Sequence, residues 1–112
     1  MPLKSENYSK VCVMSVDGDF SAETAQKART VTEEEIDQRQ IVDFVLDFEK
    51  CSFIDSEGLE TLRWIKRRCD DLFGQVKLAT LDENCRKILE ITRLATHFEC
   101  HAELAAALKT MR

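Results

Sequence analysis

The stretch FVLDFEKCSFIDSEGL, residues 44–59, decides the fold, because a nearly continuous apolar run meets a segment of different period there. The run from residue 41 to residue 48 suits a strand that is buried on both faces, as in a sheet covered by helices. Residues 51–54 are expected to extend this strand beyond a short kink. The pattern therefore predicts a central strand that leads directly into a helix.

The junction between the two elements is polar and acidic. Ser56 lies between Asp55 and Glu57, two positions before Gly58. On local sequence alone, Ser56 and Asp55 are best interpreted as a shared helix cap, which supplies a hydrogen bond to an exposed backbone N–H. A hydroxyl at the start of a helix is also accessible to an enzyme, so Ser56 is the candidate control point of the molecule.

Residues 57–72 form the clearest predicted helix. Its apolar side chains recur at three- and four-residue steps and form one stripe. The stripe consists of Leu59, Leu62, Ile65, Cys69 and Leu72. Gly74 follows and suits the C-terminal cap.

Strands and helices alternate along the rest of the chain. Further strands are predicted at residues 11–16, 76–81 and 97–100, and helices after Asp82 and over residues 102–109. Ser21 is expected to cap a helix that starts at Ala22, with a break or second start near Thr32, which fits a capping box with Glu35. This alternation indicates α/β or α+β organisation with helices packed on a sheet.

Length and composition limit the possible functions. The chain has 112 residues, 44% of them hydrophobic, with a net charge of −5. These values predict one domain, and its acidic surface disfavours nucleic-acid binding. Without an apolar leader or a membrane-length apolar stretch, the chain is expected to be soluble and cytoplasmic. Cys12, Cys69 and Cys85 fall on apolar positions and are interpreted as reduced core residues.

Few residues suggest catalysis or metal binding. His97 and His101 could contribute to a zinc site, but their spacing matches no standard site, and a surface histidine pair is the better interpretation. Residues 33–35, three glutamates, are typical of a solvated helix face. The sequence has no phosphate-binding glycine loop and no Gly-x-Ser-x-Gly motif. We therefore predict no catalytic residue, metal or cofactor.

Four segments of the chain resemble STAS domains. They are residues 16–20, 44–59 with their Asp-Ser-x-Gly-Leu motif, 75–79 and 88–94. The resemblance runs in order from about residue 8 to residue 109, so residues 1–112 are interpreted as a single STAS domain. It implies an α/β fold, in which a small mixed β-sheet is flanked by about four α-helices.

The family includes bacterial anti-sigma factor antagonists, which implies a non-enzymatic, phosphorylation-controlled binding protein. In such proteins an ATP-dependent anti-sigma factor kinase phosphorylates a serine that aligns with Ser56. The unmodified protein binds the kinase, and the phosphorylated protein releases it. The resemblance also implies that Asp55 orients the switch loop and that Gly58 lets the backbone turn closely. Glu57 departs from the family, where many members have a second serine.

A contact surface is predicted beside Ser56. Counted at 100° per residue, Trp64 lies opposite the apolar stripe, on a charged face that includes Glu57, Glu60, Arg67 and Arg68. An exposed tryptophan there is a reasonable binding anchor. Alternatively, the ring lies flat against the N-terminal segment or a neighbouring helix.

Other functions remain open on the sequence. The chain could be the STAS subunit of an anion or lipid transport system, with the same helix docked on a membrane-associated partner. It could also be a stressosome-like scaffold. A small hydrolase that uses the acidic residues is a remote alternative, because no base–nucleophile pair is evident.

Overall fold

The computed structural model describes residues 2–111, which contain one five-stranded mixed sheet. The strands are β1 (Leu3–Tyr8), β2 (Val11–Asp17), β3 (Asp43–Lys50), β4 (Gln75–Ala79) and β5 (Glu99–His101). The helices of these described residues are α1 (Ala22–Arg39), α2 (Ser56–Asp70), α3 (Glu83–Ile91) and α4 (Leu104–Lys109), with a short 3-10 helix at Ala95–His97. Sheet order follows chain order; β1 is antiparallel to β2 and the other neighbours are parallel. The predicted fold is confirmed.

The two faces of the sheet are covered unequally. Helices α1, α2 and α3 pack on one face, whereas α4 covers part of the other. Strand β3 serves both cores, because Phe44, Leu46 and Phe48 point into the larger one and Val45 joins Ala107 of α4 in the smaller one. All five side chains are fully buried. The prediction of a strand buried on both faces is therefore confirmed.

Helix α1 differs from the prediction, because it continues without a break through residue 32. Thr32 is buried, and its hydroxyl donates a hydrogen bond to the Ala28 carbonyl at 2.8 Å. The hydroxyl therefore has a partner inside the helix and does not cap a second one. Ser21 occupies the N-cap position, but its side chain accepts no capping hydrogen bond from the described backbone. The helix ends where Gln40 adopts a left-handed φ of 53°.

Three features of the sheet differ from the prediction. The strand predicted at residues 97–100 is β5, which begins only at Glu99 because residues 95–97 form the 3-10 helix. Residues 51–54 do not extend β3; within them, only Ile54 pairs, through an isolated bridge to Phe20. Strand β1 was not predicted, since Leu3 is its only buried residue and its other side chains are exposed. It nevertheless pairs with β2 along its whole length and forms one edge of the sheet.

The end of α2 also differs from the prediction. The helix stops at Asp70, and Leu72 is 36% exposed and lies outside it. The left-handed residue is Phe73, with a φ of 62°, and not Gly74. Gly74 is needed for a different reason, because a Cβ atom there would lie 1.9 Å from the Val42 carbonyl oxygen.

We expect Gly74→Ala to destabilise the protein by about 2–4 kcal/mol, because a backbone carbonyl cannot move aside for the new methyl group. The free energy of unfolding in urea measures this effect. Gly18→Ala is the control: Gly18 has a φ of 98°, but no atom lies within 4 Å of a Cβ placed there, so only the conformational cost of roughly 1 kcal/mol applies. Equal losses in both variants would contradict the packing explanation.

Candidate functional site

The junction between β3 and α2 is held in place by the backbone of Phe20, which follows β2. The Phe20 N–H donates to the Phe53 carbonyl at 2.9 Å, and the Asp55 N–H donates to the Phe20 carbonyl at 3.3 Å. Between these two bonds, Ile54 bridges to Phe20 in parallel. The Phe20 ring is buried and meets Phe48 edge-on, with 5.7 Å between the ring centroids. The loop is therefore fixed to the core.

Asp55 caps α2 by itself. Its backbone is extended, with a φ of −90°, and its Oδ1 accepts a hydrogen bond from the Gly58 N–H at 2.8 Å. The Leu59 N–H donates to the Asp55 carbonyl at 2.9 Å and closes the first helical turn. Ser56 is thus the first helical residue and is exposed. The shared cap expected from the sequence is wrong, and the Ser56 hydroxyl has no capping role.

Gly58 touches the same anchor from the helix side. A Cβ atom at Gly58 would lie 2.2 Å from the Phe20 carbonyl oxygen and 2.8 Å from Cγ2 of Ile54. Any larger side chain would push the first turn of α2 away from the loop. Gly58 therefore sets how close the helix start lies to the sheet, which is the close approach expected of it.

The outer surface of the junction is acidic, with one apolar side chain. Ser56, Glu57 and Glu60 are all exposed. Phe53, three residues before Ser56, is 44% exposed although its carbonyl is fixed to Phe20. In the sequence, Phe53 was interpreted only as the end of an apolar run; its place next to the buried Ile54 is the signal that could have identified it as outward-facing.

Trp64 does not project freely from α2. Its ring is half-buried, packs against the larger core, and has the Arg29 guanidinium of α1 5.7 Å from its centroid. Arg68 also turns toward α1, where its Nε lies 2.9 Å from an oxygen of Glu33. The alternative in which the ring lies against a neighbouring helix is therefore correct, because α1 packs alongside this face of α2.

Arg67 lies on a different side of α2. It is exposed and, together with Arg63 and Lys66, borders a depression of about 330 Å³ that His97 and Phe98 close from the segment after α3. The contact surface predicted from the sequence is therefore divided. Trp64 and Arg68 face α1, whereas Arg67 faces the opposite groove.

The thiols offer no activated nucleophile. Cys12, Cys69 and Cys85 are fully buried, as predicted, and Cys51 is nearly so. Burial raises the pKa of the Cys12 and Cys69 thiols to about 12, and it also raises the pKa of Cys51 and Cys85. These groups stay protonated at neutral pH and behave as small apolar side chains.

Of the two histidines, His101 forms a side-chain contact, whereas His97 is exposed and borders the groove beside Arg67. The His101 Nε2 lies 2.5 Å from an oxygen of Glu99, and the Lys77 Nζ lies 2.9 Å from the same oxygen. Hydrogen bonds from Lys77 and His101 lower the pKa of Glu99 below its ordinary value. Among residues 2–111, no group of three or more acidic, histidine or cysteine side chains is placed to hold a metal ion. No helix in the same range is long and apolar enough to cross a membrane.

Comparison with known proteins places this geometry in a family. The sequence profile of the STAS domain matches residues 3–107. The chain belongs to the STAS domain family. No curated protein sequence matches this STAS domain significantly.

Solved structures share its fold. The unphosphorylated form of the anti-sigma factor antagonist SpoIIAA has a TM-score of 0.86 and 19% identity, covering 96% of this chain and 94% of its own. Phosphorylated SpoIIAA, a Bacillus cell fate determinant, has a TM-score of 0.79 and 20% identity. The match covers 98% of this chain and 99% of SpoIIAA. A sulfate transporter family protein from Wolinella succinogenes has a TM-score of 0.83 and 15% identity. The match covers 93% of this chain and 86% of the Wolinella protein.

We expect Asp55→Ala to lower the free energy of unfolding by about 1 kcal/mol and to speed hydrogen exchange at the Gly58 amide, because that N–H loses its acceptor. Asp55→Asn should have little effect, since asparagine caps equally well. Asp82→Ala is the matched control: Asp82 caps α3 through the Cys85 N–H at the same 2.8 Å. It should cost similar stability and leave Gly58 exchange unchanged; faster exchange at Gly58 in that control would contradict the assignment.

Proposed function

We propose that this STAS domain is an anti-sigma factor antagonist whose binding is controlled by phosphorylation of Ser56. The observation that carries the proposal is the exposed Ser56 hydroxyl, which begins α2 on a loop already fixed by Phe20. A kinase can reach this hydroxyl without unfolding the loop. The likeness in fold to SpoIIAA, whose structure is known in both forms, supports the same conclusion.

Electrostatics favours an effect on binding over an effect on folding. A phosphate would add about −1.5 to −2 charges beside Glu57 and Glu60. The positive end of the α2 dipole offsets part of this repulsion, and exposure to solvent screens the rest. A partner that covers the junction removes this screening, so like charge at the interface becomes costly. The phosphorylated domain therefore stays folded and releases its partner.

The proposed contact surface differs from the one expected from the sequence. Phe53 supplies an exposed apolar anchor beside the switch, and Glu57 and Glu60 supply charge. Arg67 is also exposed, but it borders the groove that His97 and Phe98 close, so a partner that binds it must also cover that side of α2. Trp64 and Arg68 contribute through their contacts with α1, which hold α2 in position.

A transport role is the second candidate, favoured by the similarity in fold to the sulfate transporter family protein. In that case the same end of α2 would dock on a transport component, and phosphorylation would be dispensable. The two candidates differ in whether a kinase acts on Ser56.

Incubation with ATP and the serine kinases of its own organism should place phosphate on Ser56, as detected by mass spectrometry. Ser56→Ala should take up none, whereas Ser52→Ala, at another exposed serine of the same loop, should be phosphorylated normally. The phosphorylated protein should bind the kinase at least about tenfold more weakly than the unmodified one. Absence of transfer from any of these kinases would favour the transport role.

We expect Phe53→Ala to weaken binding to the kinase by about tenfold or more, because it removes an apolar anchor at the centre of the contact. Phe73→Ala is the matched control, since Phe73 is 97% exposed but follows the opposite end of α2. It should bind normally in titration calorimetry. Trp64→Ala should chiefly lower stability, by roughly 1–3 kcal/mol. Equal affinity of the Phe53 and Phe73 variants would exclude Phe53 from the interface.

A further inference from the structure

Strand β1 leaves a regular row of backbone groups unpaired. The Asp17 N–H donates to the Pro2 carbonyl at 2.9 Å, and Leu3 is opposite Val16 without any register shift along β1. In an antiparallel pair, hydrogen-bonded and non-hydrogen-bonded positions alternate. Lys4, Glu6 and Tyr8 therefore direct their backbone groups toward β2. The N–H and C=O groups of Leu3, Ser5 and Asn7 point away from the sheet.

The side chains at this edge carry unpaired charges. Lys4 and Glu6 lie on the same face of β1 and are exposed. Within residues 2–111, neither side chain has an ion-pair partner. The Tyr8 hydroxyl donates to Glu6 at 2.9 Å and orients its carboxylate. The unpaired backbone groups of such an edge can accept a further strand, and its charged side chains decide which strands can pair there.

Backbone geometry limits how an identical strand could add antiparallel to this edge. Outward groups of one copy must oppose outward groups of the other, which allows Ser5 to face Leu3, Ser5 or Asn7 of the second copy. Only the register with Ser5 opposite Ser5 pairs all three outward residues, with Leu3 opposite Asn7 on both sides. This register is two-fold symmetric and closes after two copies.

Charge selects the same register. With Ser5 opposite Ser5, Lys4 of each copy faces Glu6 of the other, in non-hydrogen-bonded positions where side chains lie closest. Placing Ser5 opposite Leu3 sets Lys4 against Lys4, and placing Ser5 opposite Asn7 sets Glu6 against Glu6. Like charges directly opposite each other are destabilising. The register with the most hydrogen bonds is thus also the register with opposite charges paired.

We propose that two copies of this chain associate through their β1 edges, antiparallel and with Ser5 opposite Ser5, to form one continuous ten-stranded sheet. Beside each edge, Leu3 and Ser5 border a groove of about 540 Å³ against Gln26 and Val31 of α1, which leaves room for the second strand. In this register, residues 3–7 of β1 in each copy pair with each other. The contact is short and rich in charge, so the dimer is reversible and weakens as salt rises.

Charge-swap variants test this arrangement in sedimentation velocity runs from micromolar to millimolar protein at low salt. Wild type should show a concentration-dependent dimer. K4E places two carboxylate pairs opposite each other, and E6K places two ammonium pairs, so each should raise the dimer dissociation constant at least tenfold. The double variant K4E/E6K should restore dimerisation. An equimolar mixture of the two single variants should form heterodimers.

Removing a backbone N–H from β1 tests the same dimer independently of charge. Ser5→Pro removes the central outward N–H, which takes no part in the sheet of its own chain, whereas Ser5→Ala leaves it in place. Ser5→Pro should abolish the dimer and Ser5→Ala should preserve it, with circular dichroism showing that both remain folded. The proposal is wrong if wild type is monomeric throughout the concentration range. It is equally wrong if its dimer is unaffected by K4E, E6K and Ser5→Pro, since another surface would then be responsible.

Discussion

The backbone of Phe20 is the constraint on which the rest of the site depends. Its N–H and C=O groups both bond the loop that follows β3, and its carbonyl also faces Gly58 of α2. Three parts of the structure, namely the end of β2, the loop after β3 and the start of α2, therefore meet at one residue. Because the Phe20 ring is buried against Phe48, this meeting point cannot shift without disturbing the core. The hydrogen bonds of Phe20 to Phe53 and Asp55 thus fix the position of Ser56.

The charges around Ser56 divide into those committed to structure and those facing solvent. Asp55 uses its carboxylate to cap the helix, so removing it affects the fold. Glu57 faces solvent. Glu60 lies 3.9 Å from Arg63, and because both side chains are largely exposed, this ion pair contributes little to stability. A new charge on Ser56 therefore meets neighbours that are not holding the protein together. Under the proposed function, the electrostatic cost of that charge falls on a partner that covers the surface.

Sequence periodicity predicted what depends on repeated burial, namely β3 and α2. It could not predict β1, since an edge strand with Leu3 as its only buried residue has no regular pattern. It predicted a break near Thr32 from a capping-box pattern, yet Thr32 is buried and its hydroxyl bonds the Ala28 carbonyl within one continuous helix. A helical wheel predicted an exposed Trp64, but in the tertiary structure its ring packs against the larger core with Arg29 of α1 beside it.

Strand β2 connects the Ser56 loop and the β1 edge. Its last residues lead to Phe20, while its own edge holds β1 in register from Leu3 to Tyr8. The proposed pairing between copies uses backbone groups that point away from β2, so it requires no movement of β2 or of the loop beyond it. Strand order separates the free edge from β3, which precedes Ser56, by two strand spacings of about 4.8 Å each. In the proposed dimer, the strand that leads to Ser56 is therefore two strands away from the Lys4 and Glu6 pairs.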